Sequence, residues 1–136
     1  MFVRDDDLIE IKIHYRKAGY RYLAYTAKEY DKLEEEEKGK LKPLCVKMKE
    51  LTWGLYNELQ EKAMIEDGSG DYRFNFKIYK ENRLKQLIKE WDAVGEGGKP
   101  VTINENSIAH LSPPVAEAIL RAYDEISFVS EEEEGK

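Results

Sequence analysis

One cysteine, two histidines, four prolines and no long apolar run define this 136-residue chain by what it withholds. Cys45 alone can close no internal disulfide and build no cysteine-based zinc cage. His14 and His110 are too few to suggest a multi-histidine metal or proton-relay site. No apolar stretch approaches the roughly 18 residues needed to span a bilayer. The opening Met1-Phe2-Val3-Arg4-Asp5-Asp6-Asp7 lacks the basic region and apolar stretch of a secretory signal, so a cytoplasmic protein is the expectation, with no membrane partner. No serine sits in a nucleophile-elbow pattern.

What is abundant is charge. Hydrophobic residues make up 41% and charged residues 37%, the mixture of a globular domain with a densely charged surface. The net charge of −6 is unevenly placed. Residues 1–50 carry 12 basic and 11 acidic side chains, whereas residues 51–136 carry 10 and 17. An acidic second half repels phosphate backbones, which argues against nucleic acid as a partner.

The length suits one domain, expected over residues 1–129, with a β-rich part at 1–50 and a helical part at 51–129. Leu8-Ile9-Glu10-Ile11-Lys12-Ile13 and the aromatic-rich Tyr20-Arg21-Tyr22-Leu23-Ala24-Tyr25 read as the strands of a hairpin turning through Arg16–Gly19. Ala27 to Glu37 reads as a short charged helix or a loop ending at Gly39. Leu44-Cys45-Val46-Lys47-Met48 reads as a third strand.

Beyond residue 50 helical periods dominate. Thr52 is positioned to cap a helix with the stripe Leu55, Leu59 and Ala63, and Leu51 precedes it as a staple. Asp67 to Asp71 is a turn or loop. Asn75 is positioned to cap a second helix with the stripe Phe76, Tyr79, Leu84, Leu87, Ile88 and Trp91. Thr102 and Glu105 fit a capping box opening a short helix to about His110. Pro113 and Pro114 open a last helix that buries Val115, Ala118, Ile119, Ala122 and Ile126. Residues 130–136, with four consecutive glutamates, have nothing to bury and read as an acidic flexible tail. The expected fold class is α+β: an N-terminal antiparallel hairpin or small sheet, followed by three principal amphipathic helices and one short helix.

Candidate chemistry is thin. Gly95-Glu96-Gly97-Gly98-Lys99 lacks the spacing and the following Ser or Thr of a phosphate loop, and Pro100 follows instead. Runs such as Glu34 to Glu37 stay in water, where their pKa values are not split as an acid–base pair requires. His110 near a helix end is placed to satisfy terminal carbonyls. Cys45 inside a strand reads as a buried, inert thiol. No catalytic, metal or cofactor site is therefore expected. The nine tyrosines and two tryptophans are the notable surplus, because exposed aromatics favour protein binding. Trp53, Tyr56, Tyr79 and Trp91 are the candidate partner-binding residues.

The helical half resembles the tail assembly chaperones of long-tailed bacteriophages and proviruses. The resemblance rests on Leu51-Thr52-Trp53-Gly54-Leu55-Tyr56-Asn57-Glu58 opening a helix. It continues through Phe76-Lys77-Ile78-Tyr79-Lys80-Glu81-Asn82-Arg83-Leu84 to Glu90-Trp91-Asp92. It closes with Pro100-Val101-Thr102 and Leu111-Ser112-Pro113-Pro114-Val115-Ala116-Glu117-Ala118-Ile119-Leu120. Residues 1–40 carry no marker of the family. The resemblance implies a non-enzymatic protein that keeps the helical tape-measure protein soluble until tail-tube protein polymerises around it. It is compatible with a homo-oligomer. The competing readings are a structural virion subunit, a small hydrolase using His110, and a cellular adaptor.

Overall fold

The structure, a computed structural model, describes residues 1–127. The acidic tail expected at 130–136 lies outside the described residues. Two long strands, β1 (Leu8–Ala18) and β2 (Arg21–Thr26), form the first hairpin. Ala18 pairs with Arg21, so the turn is Gly19-Tyr20, later than the expected Arg16–Gly19. Gly19 has φ +68°, and a two-residue turn with positive φ at its first position is where glycine costs least. A crossover of two short helices, α1 (Ala27–Asp31) and α2 (Glu35–Lys38), leads to β3 (Lys42–Lys49). Then come α3 (Trp53–Lys62), a small hairpin of β4 (Met64–Glu66) and β5 (Tyr72–Phe74), and α4 (Phe76–Leu87). The last elements are β6 (Ile88–Trp91), α5 (Glu105–Ala109) and α6 (Pro113–Ser127).

The expected order of strands first and helices afterwards is overturned. Helices and strands interleave. β6 returns from the helical half to complete a four-stranded antiparallel sheet ordered β2-β1-β3-β6, and β4 and β5 make a separate two-stranded sheet. Six α-helices stand among the described residues, not four.

β6 explains the error. Ile88 and Trp91 fit the helical stripe of α4 because residues three apart share a helix face. They also share a face here, for a different reason. Met48 pairs with Ile88 and Val46 with Trp91, and the register shifts between Lys47 and Met48. One extra residue on β6 makes a bulge, which returns positions three apart to the same side. The helix therefore stops at Leu87, and Trp91 sits in the sheet. The β4–β5 hairpin carries no readable sequence signal, because three-residue strands are too short to show a period of two.

Alternation on β1 and β3 decides where the core lies. Ile11, Ile13, Leu44, Val46 and Met48 are buried on one face, while Glu10, Lys12 and Lys47 face water on the other. α6 lays Val115, Ala118, Ile119, Ala122 and Tyr123 on the buried face, joined by Leu84 and Leu87 of α4 and Ile108 of α5. Ile126, expected on this buried stripe, is 55% exposed. It lies in the last turn of α6. On the opposite face, the α1–α2 crossover stacks Tyr30 on His14 at 3.8 Å between ring centroids, and Arg16 pairs with Glu37.

The caps divide. Thr52 Oγ1 accepts from Leu55 N and Asn75 Oδ1 from Ile78 N, both as expected. The cap of α5 is Asn104, not Thr102. Its side chain and that of Ser107 satisfy each other's backbone donors. Asparagine ranks with serine and aspartate as a capping residue, so the box two residues later competes well.

Polar contacts fix α6 at its rim. Tyr123 donates its hydroxyl to Lys49 O at 3.1 Å, and Thr26 donates to Glu125. Arg121 grips both oxygens of Glu29, at 3.0 and 2.9 Å. That hydrogen bond is the main reason the Glu29 carboxyl is held below the usual carboxylate range.

Ile119→Ala should destabilise the protein by about 2–5 kcal/mol in urea denaturation, because its fully buried site cannot collapse against a paired sheet. A lowered folded-state pKa at Glu29 stabilises the fold above the unfolded glutamate value and loses that stabilisation as pH falls. Tm profiles of wild type and Glu29→Gln should therefore differ near neutral pH and converge only as pH falls from the ordinary glutamate value, about 4.3, through the lower folded one.

Candidate aromatic docking cleft

Sequence points to four aromatic side chains, of which the fold brings Trp53 and Tyr56 to one cleft. Trp53 opens α3, immediately after its cap, and is 77% exposed. Tyr56 follows on the same helical side. The two rings lie near-parallel, 22° apart, with centroids 6.2 Å from each other. Together with Ile9 of β1, Leu51, and Tyr123 and Ile126 of α6, they border a cleft of about 530 Å³. The Thr52 cap sets Trp53 here. Thr52 ends the extended segment, and the first turn of α3 projects the indole over the cleft mouth.

Two features missed by sequence complete the cleft. Ile126 was expected to be core, yet it supplies an exposed apolar wall. Ile9 alternates with buried Ile11 on the same face but lies at the strand end, where the core thins. No sequence period distinguishes an end-of-element residue from its buried neighbours.

Tyr79 does not line the cleft, although it neighbours Tyr56 across α3 and α4. Its ring packs 5.3 Å from Phe74 of β5, beneath the small hairpin. Burial pushes its phenol up, and the neighbouring Arg83 guanidinium pulls in the opposite direction. Arg83 itself is 7% exposed, with its guanidinium 5.6 Å from the ring centroids of both Tyr79 and Tyr123. It pairs with Asp124, while its Nε has no hydrogen-bond partner among the described residues. A cation held against two aromatic faces ties α4 to α6, directly behind the cleft.

Trp91 is also committed to the fold. It is half-buried, and its indole Nε1 donates to Val101 O at 2.7 Å. That bond holds the segment after Gly98 against the sheet. Trp91 and Trp53 thus face different surroundings and share no site.

A second apolar patch lies on the small hairpin. Phe76 and Tyr72 are 70% and 64% exposed, beside partly exposed Met64 and Ile65. A cavity of about 520 Å³ lies along it, bordered by Ile65, Phe74 and Phe76 with Glu66, Asp67, Arg73 and Lys77.

The remaining candidates have plain surroundings. His110 Nδ1 lies 2.7 Å from Asn106 O at the end of α5, as a capping role requires. The cavity beside it, about 300 Å³, is bordered by Tyr15, Tyr22, Leu44, Val94, Leu111, Ser112 and Val115, with no carboxylate. Cys45 lies in β3 as expected but is half-buried rather than buried, because it alternates with core residues Leu44 and Val46 and falls on the other face of the strand. Burial and then Asp92 push its thiol up, which keeps it protonated at neutral pH. Among the described residues no three His, Cys, Asp or Glu side chains converge as metal ligands would. None of the described helices is long and apolar enough to cross a membrane.

Comparison with family models, with curated proteins and with solved structures finds no match.

The two tryptophans should report their environments separately. Trp91→Phe should leave a protein with red-shifted emission that acrylamide quenches readily. Trp53→Phe should leave blue-shifted, weakly quenched emission. Trp91→Phe should also cost about 1–3 kcal/mol of stability, because Val101 O loses its donor in a half-buried site.

Proposed function

We propose that this chain is a non-enzymatic polypeptide-binding protein, a tail assembly chaperone that holds the tape-measure protein soluble before tail-tube protein surrounds it. The observation that carries the reading is Trp53, 77% exposed and paired with Tyr56 at the mouth of an apolar cleft. A tryptophan left in water contributes little to the fold, and here it lies beside an apolar cleft. Aromatic anchors at the lip of a desolvated pocket are the features that dominate protein-binding energetics. The cleft is large in the same terms. An engineered cavity of about 150 Å³ holds a benzene molecule, so this one has room for several client side chains.

Trp53 and Tyr56 bear the client in this reading. Tyr79 supports it indirectly, through Arg83 and α4 behind Tyr123, whereas Trp91 serves the fold alone. Net negative charge keeps loaded complexes apart.

The exposed small hairpin favours a second reading, a structural virion subunit. A two-stranded sheet with free edges and apolar side chains suits lateral contact between copies. Mass spectrometry of mature particles separates the readings, since a structural subunit is present in stoichiometric amounts and a chaperone is not.

Co-expression with its tape-measure protein should move that protein into the soluble fraction. Trp53→Ala should lower the soluble yield several-fold while leaving the chaperone's own Tm within a few degrees, because the indole buries little on folding. A client equally soluble with and without the chaperone defeats the reading.

A further inference from the structure

Two properties of the cleft describe its occupant more closely than apolarity does, and the inference rests on the reading above. The first is that helices supply most of the walls. β1 contributes only Ile9, which pairs with Met48 of β3, and β2 pairs with β1 only from Ile13 onward. The main walls are helices α3 and α6, whose backbone groups bond internally. An extended peptide laid along these helices would leave its own N–H and C=O groups without ladder partners. A helix satisfies them itself and presents only side chains.

The second is charge at the mouth. Glu50 is the charged member of the cleft lining, is exposed, and forms no ion pair among the described residues. Its backbone N donates to Asp7 O at 3.1 Å, which brings the Asp5–Asp7 turn alongside. Asp5 and Asp6 have side chains 97% and 83% exposed. The two cations of this corner are already engaged, Arg4 with Asp6 and Asp7, and Lys49 with Asp5. Asp7 is held below the usual carboxylate range, chiefly by the hydrogen bond from the Arg4 backbone, and so stays ionised. Four carboxylates face two cations here, and Glu50 has none.

We propose that the cleft selects a cationic amphipathic helix: apolar side chains at helical spacing seat against Trp53, Tyr56 and Ile126, and flanking Lys or Arg residues meet Glu50, Asp5 and Asp6. The apolar seat supplies most of the affinity. The carboxylates choose among apolar helices and speed their arrival, because exposed opposite charges act chiefly on encounter and discrimination.

The test uses the full chain and two labelled helical peptides of about 18 residues, about 27 Å long. Both carry the same leucine and phenylalanine stripe. One is flanked by lysine and arginine, the other by glutamate. Fluorescence anisotropy at about 50 mM and about 300 mM NaCl spans a clear change in Debye length. The cationic peptide should bind about tenfold more tightly at low salt, a difference of about 1.4 kcal/mol. The preference should shrink at high salt and should fall to about twofold or less in the D5N/D6N/E50Q variant. Trp53→Ala should weaken both peptides. Equal binding of the two peptides overturns the charge selection and leaves the cleft standing as a client site. A preference that persists in the triple variant overturns it as well. If neither peptide binds, or if the chain instead self-associates through Trp53, the cleft itself is not a client site and both proposals fall.

Discussion

Tyr123 is the residue on which the arrangement turns. It is fully buried in α6, donates its hydroxyl to Lys49 O at the end of β3, and backs onto the Arg83 guanidinium of α4. The same side chain borders the cleft. One phenol therefore joins the sheet, the longest helix, the second-longest helix and the candidate site. Its ring supplies apolar burial, and its hydroxyl finds the partner that a buried polar tip requires. Move α6 along the sheet by one turn, and the Lys49 bond, the Arg83 stack and the wall formed by Ile126 are lost together.

Much of this was legible in the sequence where a local signal matched a local cause. Thr52 and Asn75 read as caps, and each accepts the hydrogen bond that its role demands. The alternation of Ile11 and Ile13 marked β1, and the paired prolines marked the start of α6. What was not legible depended on distant partners. Ile88 and Trp91 satisfied a helical period equally well. Only pairing with β3, through a bulge, made them strand. Met64–Glu66 and Tyr72–Phe74 carried no readable period, and their pairing became visible only across the Asp67–Asp71 turn. The expected order of a sheet followed by helices failed for the same reason, since β6 is recruited to the sheet from some forty residues away.

The candidate site shows the same division. Aromatic richness was plain from composition, but exposure was not. Trp53 and Trp91 were both expected on helices, one in the first turn after Thr52 and the other at the end of a helical stripe. The fold sends one to solvent and uses the other to hold Val101. Tyr56 joins Trp53, whereas Tyr79 is drawn beneath the hairpin by Phe74 and Arg83. Spacing along a helix says which residues share a face. It cannot say whether a neighbouring element arrives to cover that face, and Ile126, in the last turn of α6, is left exposed.

The grip of Arg121 on Glu29 has a consequence beyond the seating of α6. Ladder bonds alternate in an antiparallel hairpin, so the two-residue turn of β1 and β2 directs the backbone groups of Tyr22, Ala24 and Thr26 away from β1. Arg121 donates to Ala24 O at 3.4 Å, and Glu29 accepts from Thr26 N at 3.1 Å. The ion pair thus occupies part of the sheet's outer border with its own hydrogen bonds. A foreign strand approaching β2 would have to displace a guanidinium and a carboxylate together. The molecule is protected from runaway sheet extension on that flank by the residues that clamp its last helix.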